Sequence, residues 1–165
     1  MNKIQIIRHG DLTIREVLDI IEIKSIAWPY EIGSQFQWMI DNLRENDLHF
    51  LLRDKDGGQV VAYLNLVEIF ADLGYGHPIK CWGLGNVCTR ERGKGIGKEL
   101  MHRLNNFIDM SGIPAILLCR KKNLGFYLKM EWNLLPSDSD LGEDVYAMYY
   151  GCYAESVLKS LDRLF

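Results

Sequence analysis

Apolar and polar residues alternate along the chain at two spacings, and these divide it into strands and helices. Residues 3–8, KIQIIR, alternate and predict a first strand. Thr13 and Glu16 have the spacing of a capping box, and Val17, Ile20, Ile21 and Ile23 follow as the apolar side of a helix stopped by Pro29. Ser34 and Gln37 repeat that capping pattern for a second helix over 35–46, with Phe36, Trp38, Met39 and Leu43. LHFLLR (48–53) reads as a strand and VVAYLNLVEIF (60–70) as its return. Between them DKDGGQ (54–59) is a hairpin turn, since Asp and two glycines supply the backbone angles it needs. After the loop ADLGYGHP (71–78) comes another strand, IKCWGLGNVCT (79–89). Gly83 and Gly85 inside it predict a bulge or the close approach of another group.

Beyond RGKGIGK (92–98), Ile96, Leu100, Leu104, Phe107 and Ile108 fall on one helix face, closed by Gly112 and Pro114. AILLCR (115–120) is continuously apolar, as in a strand covered on both faces. A short helix over 123–130, strands at EWNLLP and DVYAMYYG, and a terminal helix over 153–165 complete the pattern. The order β-α-α-β-β-β-α-β-α-β-β-α contains a strand–helix–strand crossover, which calls for one parallel pair. Hairpins on either side call for antiparallel neighbours. The expected fold class is mixed α/β, a mostly antiparallel sheet with one parallel pair and helices packed on it. Without an internal repeat, a low-complexity segment or a long linker, residues 1–165 read as a single domain. The terminal helix, with Val157, Leu158, Leu161 and Phe165, would pack either on that domain or on a second copy in a homodimer.

Composition narrows the function classes. A net charge of -3 over 165 residues gives no global basic field of the kind that marks nucleic-acid binders. The basic run RKK (120–122) is too short and lacks interleaved aromatics. No apolar run approaches the roughly 20 residues of a membrane span, and the first residues, MNKIQIIRHGD, are too polar for a secretory signal. Cys81, Cys88, Cys119 and Cys152 form no CxxC pair. Free thiols in a reducing cytoplasm are therefore expected.

The chemistry-bearing stretch is RGKGIGK. A strand, then glycines, then a helix start makes an anion site, because the first helical amides lack internal partners and the dipole is positive there. Arg92, Lys94 and Lys98 add charge. A P-loop would need a glycine where Arg92 stands and Ser or Thr where Glu99 stands. A dinucleotide fingerprint would need G-x-G-x-x-G, and Gly93, Gly95 and Gly97 have the wrong last spacing. A plain basic turn is the remaining alternative.

The stretch Val87-Cys88-Thr89-Arg90-Glu91-Arg92-Gly93-Lys94-Gly95-Ile96-Gly97 closely resembles the acetyl-CoA-binding motif of the GNAT family of N-acetyltransferases, V-x-P-x-x-R/Q-G-x-G-I-G/A. Thr89 replaces the usual proline. NLGFYLKMEWNLL (123–135) is similar to the family's later segment, with Glu131 and Trp132 where glycine and phenylalanine are usual. The resemblance implies an enzyme that moves an acetyl group from acetyl-CoA to an amine by direct attack, without a metal. It implies that backbone groups of Val87 and Thr89, in the run through Cys88, hold the pantetheine arm. Amides from Arg92 through Gly93, Lys94, Gly95, Ile96, Gly97 and Lys98 would wrap the pyrophosphate. Asn123 would lie beside the arm, and Tyr127 would protonate the leaving thiolate. RKK would either meet the 3′-phosphate or be solvated.

Many members keep a glutamate on the strand before the motif as general base, and CWGLGNVCT has none. Glu68 on the preceding strand is the first candidate, against a solvated strand-end charge. His77 is the second, since histidine titrates near neutrality, against a plain surface histidine. Relay through water would need neither. Cys88 and Cys119 raise a covalent acetyl-cysteine route, against inert buried thiols. His77 and Cys81 lack further ligands, so no metal site is expected. Trp28, Tyr30, Glu31, Phe36, Trp38 and Asp72 populate the regions where the acceptor would bind, a small-molecule amine in preference to a protein or peptide amine, as do the acidic residues of LPSDSDLGED (135–144). A longer acyl-CoA donor and a non-catalytic CoA sensor are the rival readings.

Overall fold

The structure, a computed structural model, describes residues 1–151 and 156–165. Its elements are β1 (Lys3–Arg8), a 3-10 turn (His9–Asp11), α1 (Ile14–Ala27), α2 (Ile32–Asn42), β2 (Leu48–Arg53), β3 (Val60–Asp72), β4 (Ile79–Thr89), α3 (Ile96–Ser111), β5 (Ala115–Arg120), α4 (Lys121–Leu128), β6 (Asn133–Leu135), β7 (Val145–Tyr150) and β8 (Ser160–Leu161). The strands form an open mixed sheet in the order β1-β2-β3-β4-β5-β7-β6, with β8 on β3. The pair β4–β5 is parallel, as the crossover through α3 requires. The chain makes two compact units, residues 1–67 with 85–103 and residues 68–84 with 104–165.

In the first unit β1 pairs antiparallel with β2, and β2 with β3. Phe50, Leu51, Leu52, Ala62, Leu64 and Leu66 are fully buried there. α1 opens on the expected capping box: the Glu16 amide donates to the Thr13 hydroxyl, and the Glu16 carboxylate accepts from the Thr13 amide. It buries Ile20, Ile21 and Ile23. α2 differs from expectation. It starts at Ile32, so Ser34 lies inside its first turn and caps nothing; Glu31 holds the N-cap position without a side-chain bond. The buried residues are Gln35 and Met39, while Phe36 is exposed. Gln35 is buried because its amide donates to the Trp28 carbonyl at 2.8 Å, tying α2 to the end of α1.

In the second unit β5 pairs with β7 and β7 with β6, all antiparallel, while Trp82–Leu84 of β4 pairs with Ala115–Leu117. Leu104, Ile108, Ile116, Leu117, Trp132 and Met148 fill its core.

The expected terminal helix over 153–165 lies partly outside the described residues, at 153–155 (Cys152 lies outside them as well), and the described remainder is not helical. Residues 158–162 run along the end of β3 instead. The Lys159 amide donates to Asp72 O at 2.8 Å, and the Asp162 amide to Phe70 O at 3.1 Å. The Phe70 amide in turn donates to the Asp162 carboxylate at 2.8 Å. These bonds satisfy backbone groups that a helix would have satisfied internally, and Leu158 is still fully buried.

The terminal segment also explains Gly83. A Cβ there would lie 2.4 Å from the Phe165 ring, so the group that approaches β4 is the chain's own last aromatic. Gly83→Ala should therefore cost about 1–3 kcal/mol through overpacking. In a Phe165→Ala background the same substitution should cost much less, a non-additivity that a denaturant double-mutant cycle reads directly.

Candidate active site

The motif occupies one continuous strand–turn–helix in the first unit. The irregularity expected in β4 falls at Asn86, which has a φ of 54°. That left-handed conformation is strained for a residue with a Cβ, and Asn tolerates it better than most. The Asn86 side-chain amide donates to Asn65 Oδ1 on β3 at 2.7 Å. Val87 and Thr89 follow half-buried, and Cys88 is buried. Arg90 pins the strand end: its amide donates to Val61 O at 2.8 Å, and its guanidinium reaches Val60 O and the Glu22 carboxylate.

The turn beyond is exposed. Gly93 and Gly95 have φ values of 77° and 76°, and a Cβ at either would meet nothing within 4 Å. Conformation, not crowding, therefore calls for glycine here. α3 begins at Ile96, and the Glu99 amide closes onto Gly95 O at 3.0 Å. The amides of Ile96, Gly97 and Lys98 precede that closure and have no partner within the helix. Arg92, Lys94 and Lys98 are exposed around them. Lys94 lies 3.9 Å from Glu91, an exposed contact of little energetic weight. Open glycine backbone, helical amides and three cations fit a pyrophosphate.

Cys88 does not suit covalent chemistry. Burial pushes its thiol up to about 12, and a thiol that keeps its proton is a poor nucleophile.

Beneath α1 lies a row of buried polar groups that the sequence reading did not single out. Tyr63 and Asn65 stand two apart on β3 and so share a face, and His49 is the cross-strand partner of Asn65. The His49 ring bonds Tyr63 Oη at 2.8 Å and His9 Nδ1 at 3.0 Å. Burial lowers the His49 pKa to about 3 and that of Lys24 on α1 to about 8. The signal was present: a histidine and an asparagine interrupt otherwise apolar strands.

The second unit holds the remaining candidates. Asn123 and Tyr127 are one helical turn apart on α4, the first exposed and the second buried. Burial, followed by the nearby Cys119, holds the Tyr127 hydroxyl well above its ordinary pKa. Its ring sits 6.4 Å from that of Trp132. Trp132 is locked in turn, donating from Nε1 to Asn105 Oδ1 at 3.0 Å, while Asn105 Nδ2 donates to Met130 O at 2.9 Å. Glu131 has a φ of 66°, so the chain keeps the left-handed turn where the family's glycine is usual. Glu68 is partly exposed on β3, with its carboxylate 2.6 Å from Lys80 Nζ. His77 is exposed in the loop before β4, and Cys81 is buried. Asp72 accepts from the Gly74 amide at 2.9 Å. Leu134–Ser137, Ser139–Gly142 and Val145–Ala147 border an open hollow of about 490 Å³.

The neutral, buried His49 makes stability depend on pH. Unfolded, the imidazole takes a proton below about pH 6.5; folded, it stays neutral until about 3. Its contribution is complete above pH 6.5 and is lost as pH falls, at up to about 1.4 kcal/mol per unit. Urea unfolding between pH 5 and 7.5 should show this slope, and His49→Gln should flatten it.

Residues 16–132 match the model of the acetyltransferase (GNAT) family. No curated protein matches the sequence. Among solved structures, the chain is similar to Escherichia coli ElaA at 18% identity and a TM-score of 0.67, over 90% of this chain and 99% of that one. An acyl-CoA N-acyltransferase from Pseudomonas aeruginosa matches at 19% identity and a TM-score of 0.65, over 90% and 99%. The Bacillus subtilis N-acetyltransferase YlbP, in complex with coenzyme A, matches at 15% identity and a TM-score of 0.60, over 95% and 99%. These likenesses establish the fold, and the match of the family model over most of the chain establishes the membership: the chain belongs to the GNAT family of acetyltransferases.

Proposed function

We propose that the protein is an acetyl-CoA-dependent N-acetyltransferase that acts on a primary amine of a small molecule by direct attack. The observation that carries this reading is the turn from Arg90 to Gly95, whose two left-handed glycines lead into the N-terminus of a 16-residue helix directly after the motif strand. The solved coenzyme A complex of a protein with this fold supports the same donor.

Acetyl-CoA, when bound, supplies the activated acyl group. The chain's own residues supply the rest. Amides of Arg92–Lys98 hold the pyrophosphate, with Arg92, Lys94 and Lys98 balancing its charge. Main-chain groups of Val87 and Thr89 hold the pantetheine arm as an added strand would, and Asn123 lies along it. A backbone N–H on the irregular stretch of β4 polarises the thioester carbonyl. Tyr127 retains its proton throughout the neutral range and gives it to the departing sulfur. Glu68 is the first candidate to take the proton of the acceptor. Its ion pair with Lys80 opposes that role, because the lysine would have to move aside. His77 is the second candidate, and water relay replaces both if neither serves. Localisation in the cytoplasm is proposed from the free thiols; among the described residues no helix is long and apolar enough to cross a membrane.

Free-thiol release from acetyl-CoA with a panel of primary amines tests the reading. Turnover is expected. Tight coenzyme A binding without turnover of any amine would overturn the enzyme reading in favour of a sensor, and faster turnover of longer acyl-CoAs would replace the donor. Tyr127→Phe should lower kcat by roughly 10²–10⁴-fold with little change in the Kd for coenzyme A. An unchanged kcat would remove Tyr127 from the acid role.

A further inference from the structure

Beneath α1 the first unit buries more hydrogen-bond donors than it pairs. Lys24 is 3% exposed, and it takes part in none of the ion pairs among the described residues. Its ammonium lies 4.1 Å from the centroid of the Trp38 ring on α2. Asn65 is fully buried; its oxygen accepts from Asn86, and its own Nδ2 has no partner. The groups facing this patch do not balance it. The Cys88 thiol is protonated and lies against Ile23 O. His49 is engaged by Tyr63 and His9, and Asp47, whose charge acts on both histidines, accepts from the Arg44 amide.

A buried cation without a counter-charge and a buried amide without an acceptor both cost stability. Lys24 follows Ile23, whose carbonyl meets Cys88, and Cys88 lies two residues from the Asn86 that bonds Asn65; both groups call for a partner with several oxygen lone pairs and a negative charge. A carboxylate has that form: one oxygen can accept from an ammonium and the other from an amide. The Trp38 face holds the ammonium by cation–π attraction. Trp38 is therefore occupied by the chain's own cation and is not a cage for the cation of an acceptor. Asn86 and Cys88 flank Val87, so the patch borders the strand that carries the motif.

We propose that Lys24 and Asn65 form a carboxylate-binding subsite, so that the acceptor is an amine that also bears a carboxylate, as an amino acid does. The half-buried Trp38, with its ring against the Lys24 ammonium, is the outer side of this subsite. This inference rests on the acetyltransferase reading and deepens it.

The test compares α-amino acids with their own carboxamides as acceptors for the full chain. The amide's amine is the less basic and the more readily deprotonated, so any preference for the acid runs against intrinsic reactivity. A kcat/KM ratio of acid to amide above roughly tenfold is expected, in line with a hydrogen bond to a charged group. Lys24→Met and Asn65→Leu should each draw that ratio towards one, with calorimetric acetyl-CoA binding as the check on folding. A ratio near one in the unmodified protein, or an unchanged ratio in folded variants, overturns the proposal alone. No turnover of any amine overturns the acetyltransferase reading and this proposal with it. If the variants do not fold, the ratio in the unmodified protein decides.

Discussion

The motif strand depends on one residue that leaves the extended conformation. Asn86 stands at a φ of 54° in the middle of β4, where regular pairing would keep it near the β region. Its side chain answers for the strain by donating to Asn65 on β3. That bond has a cost of its own, since it uses the oxygen of Asn65 and leaves a fully buried N–H unpaired. Past this point Val87 and Thr89 carry the chain to Arg90, which is anchored on the start of β3 and on α1. The glycine turn therefore springs from a fixed base although it is itself exposed. A loop that must wrap an anion needs this combination, with freedom at the glycines and rigidity immediately before them.

The space beneath α1 follows a different logic from the rest of that core. Apolar side chains there would have been the simpler solution, as at Phe50, Leu64 and Leu66. The strands instead carry His49, Tyr63 and Asn65, and α1 buries Lys24 against the Trp38 ring. His49 is affordable because it is neutral and bonded at both nitrogens. Lys24 and Asn65 are the members that the protein alone does not satisfy. Natural cores depart from full satisfaction mainly at functional sites, and this departure borders the motif.

Much of the fold was legible because it rests on local periodicity. KIQIIR, LHFLLR, IKCWGLGNVCT and AILLCR become β1, β2, β4 and β5 at their expected bounds. The parallel pair followed from the crossover alone. The failures lie where distant partners decide. Ser34 looks like a cap, but the Gln35 bond to Trp28 belongs to a packed corner in which the helix already begins at Ile32. Leu158, Leu161 and Phe165 have helical spacing, yet the Leu158 amide bonds Pro136 O and those of Lys159 and Asp162 bond β3. Gly83 and Gly85 were read together as one interruption. Gly83 makes room for Phe165, and the bulge-like residue is the asparagine beyond them. The motif itself was legible from Val87 to Lys98 because its chemistry lies in the backbone. Lys24 was not, and Asn65, although it visibly interrupts an apolar strand, points to a binding group only once its unpaired Nδ2 can be seen.

In the second unit the surroundings of Tyr127 determine which direction of proton transfer it suits. The Asn105 bridge fixes Trp132, and Trp132 lies against the Tyr127 ring. Glu131 accepts a left-handed conformation so that the chain can turn into β6 directly behind them. The tyrosine is thus held in place and buried, and that burial raises its hydroxyl pKa. A phenol in that state is a weak acid, and it does not ionise near neutrality to become a base. Its proton is available only to a partner that becomes strongly basic during the reaction and lies within hydrogen-bond reach. A thiolate whose basicity is raised by burial, as burial raises the Cys88 and Cys119 thiols, is such a partner, whereas an ammonium approaching to be deprotonated is not. On the proposed function this separates the two proton transfers: Tyr127 serves the leaving group, and the acceptor's proton must depart by another route.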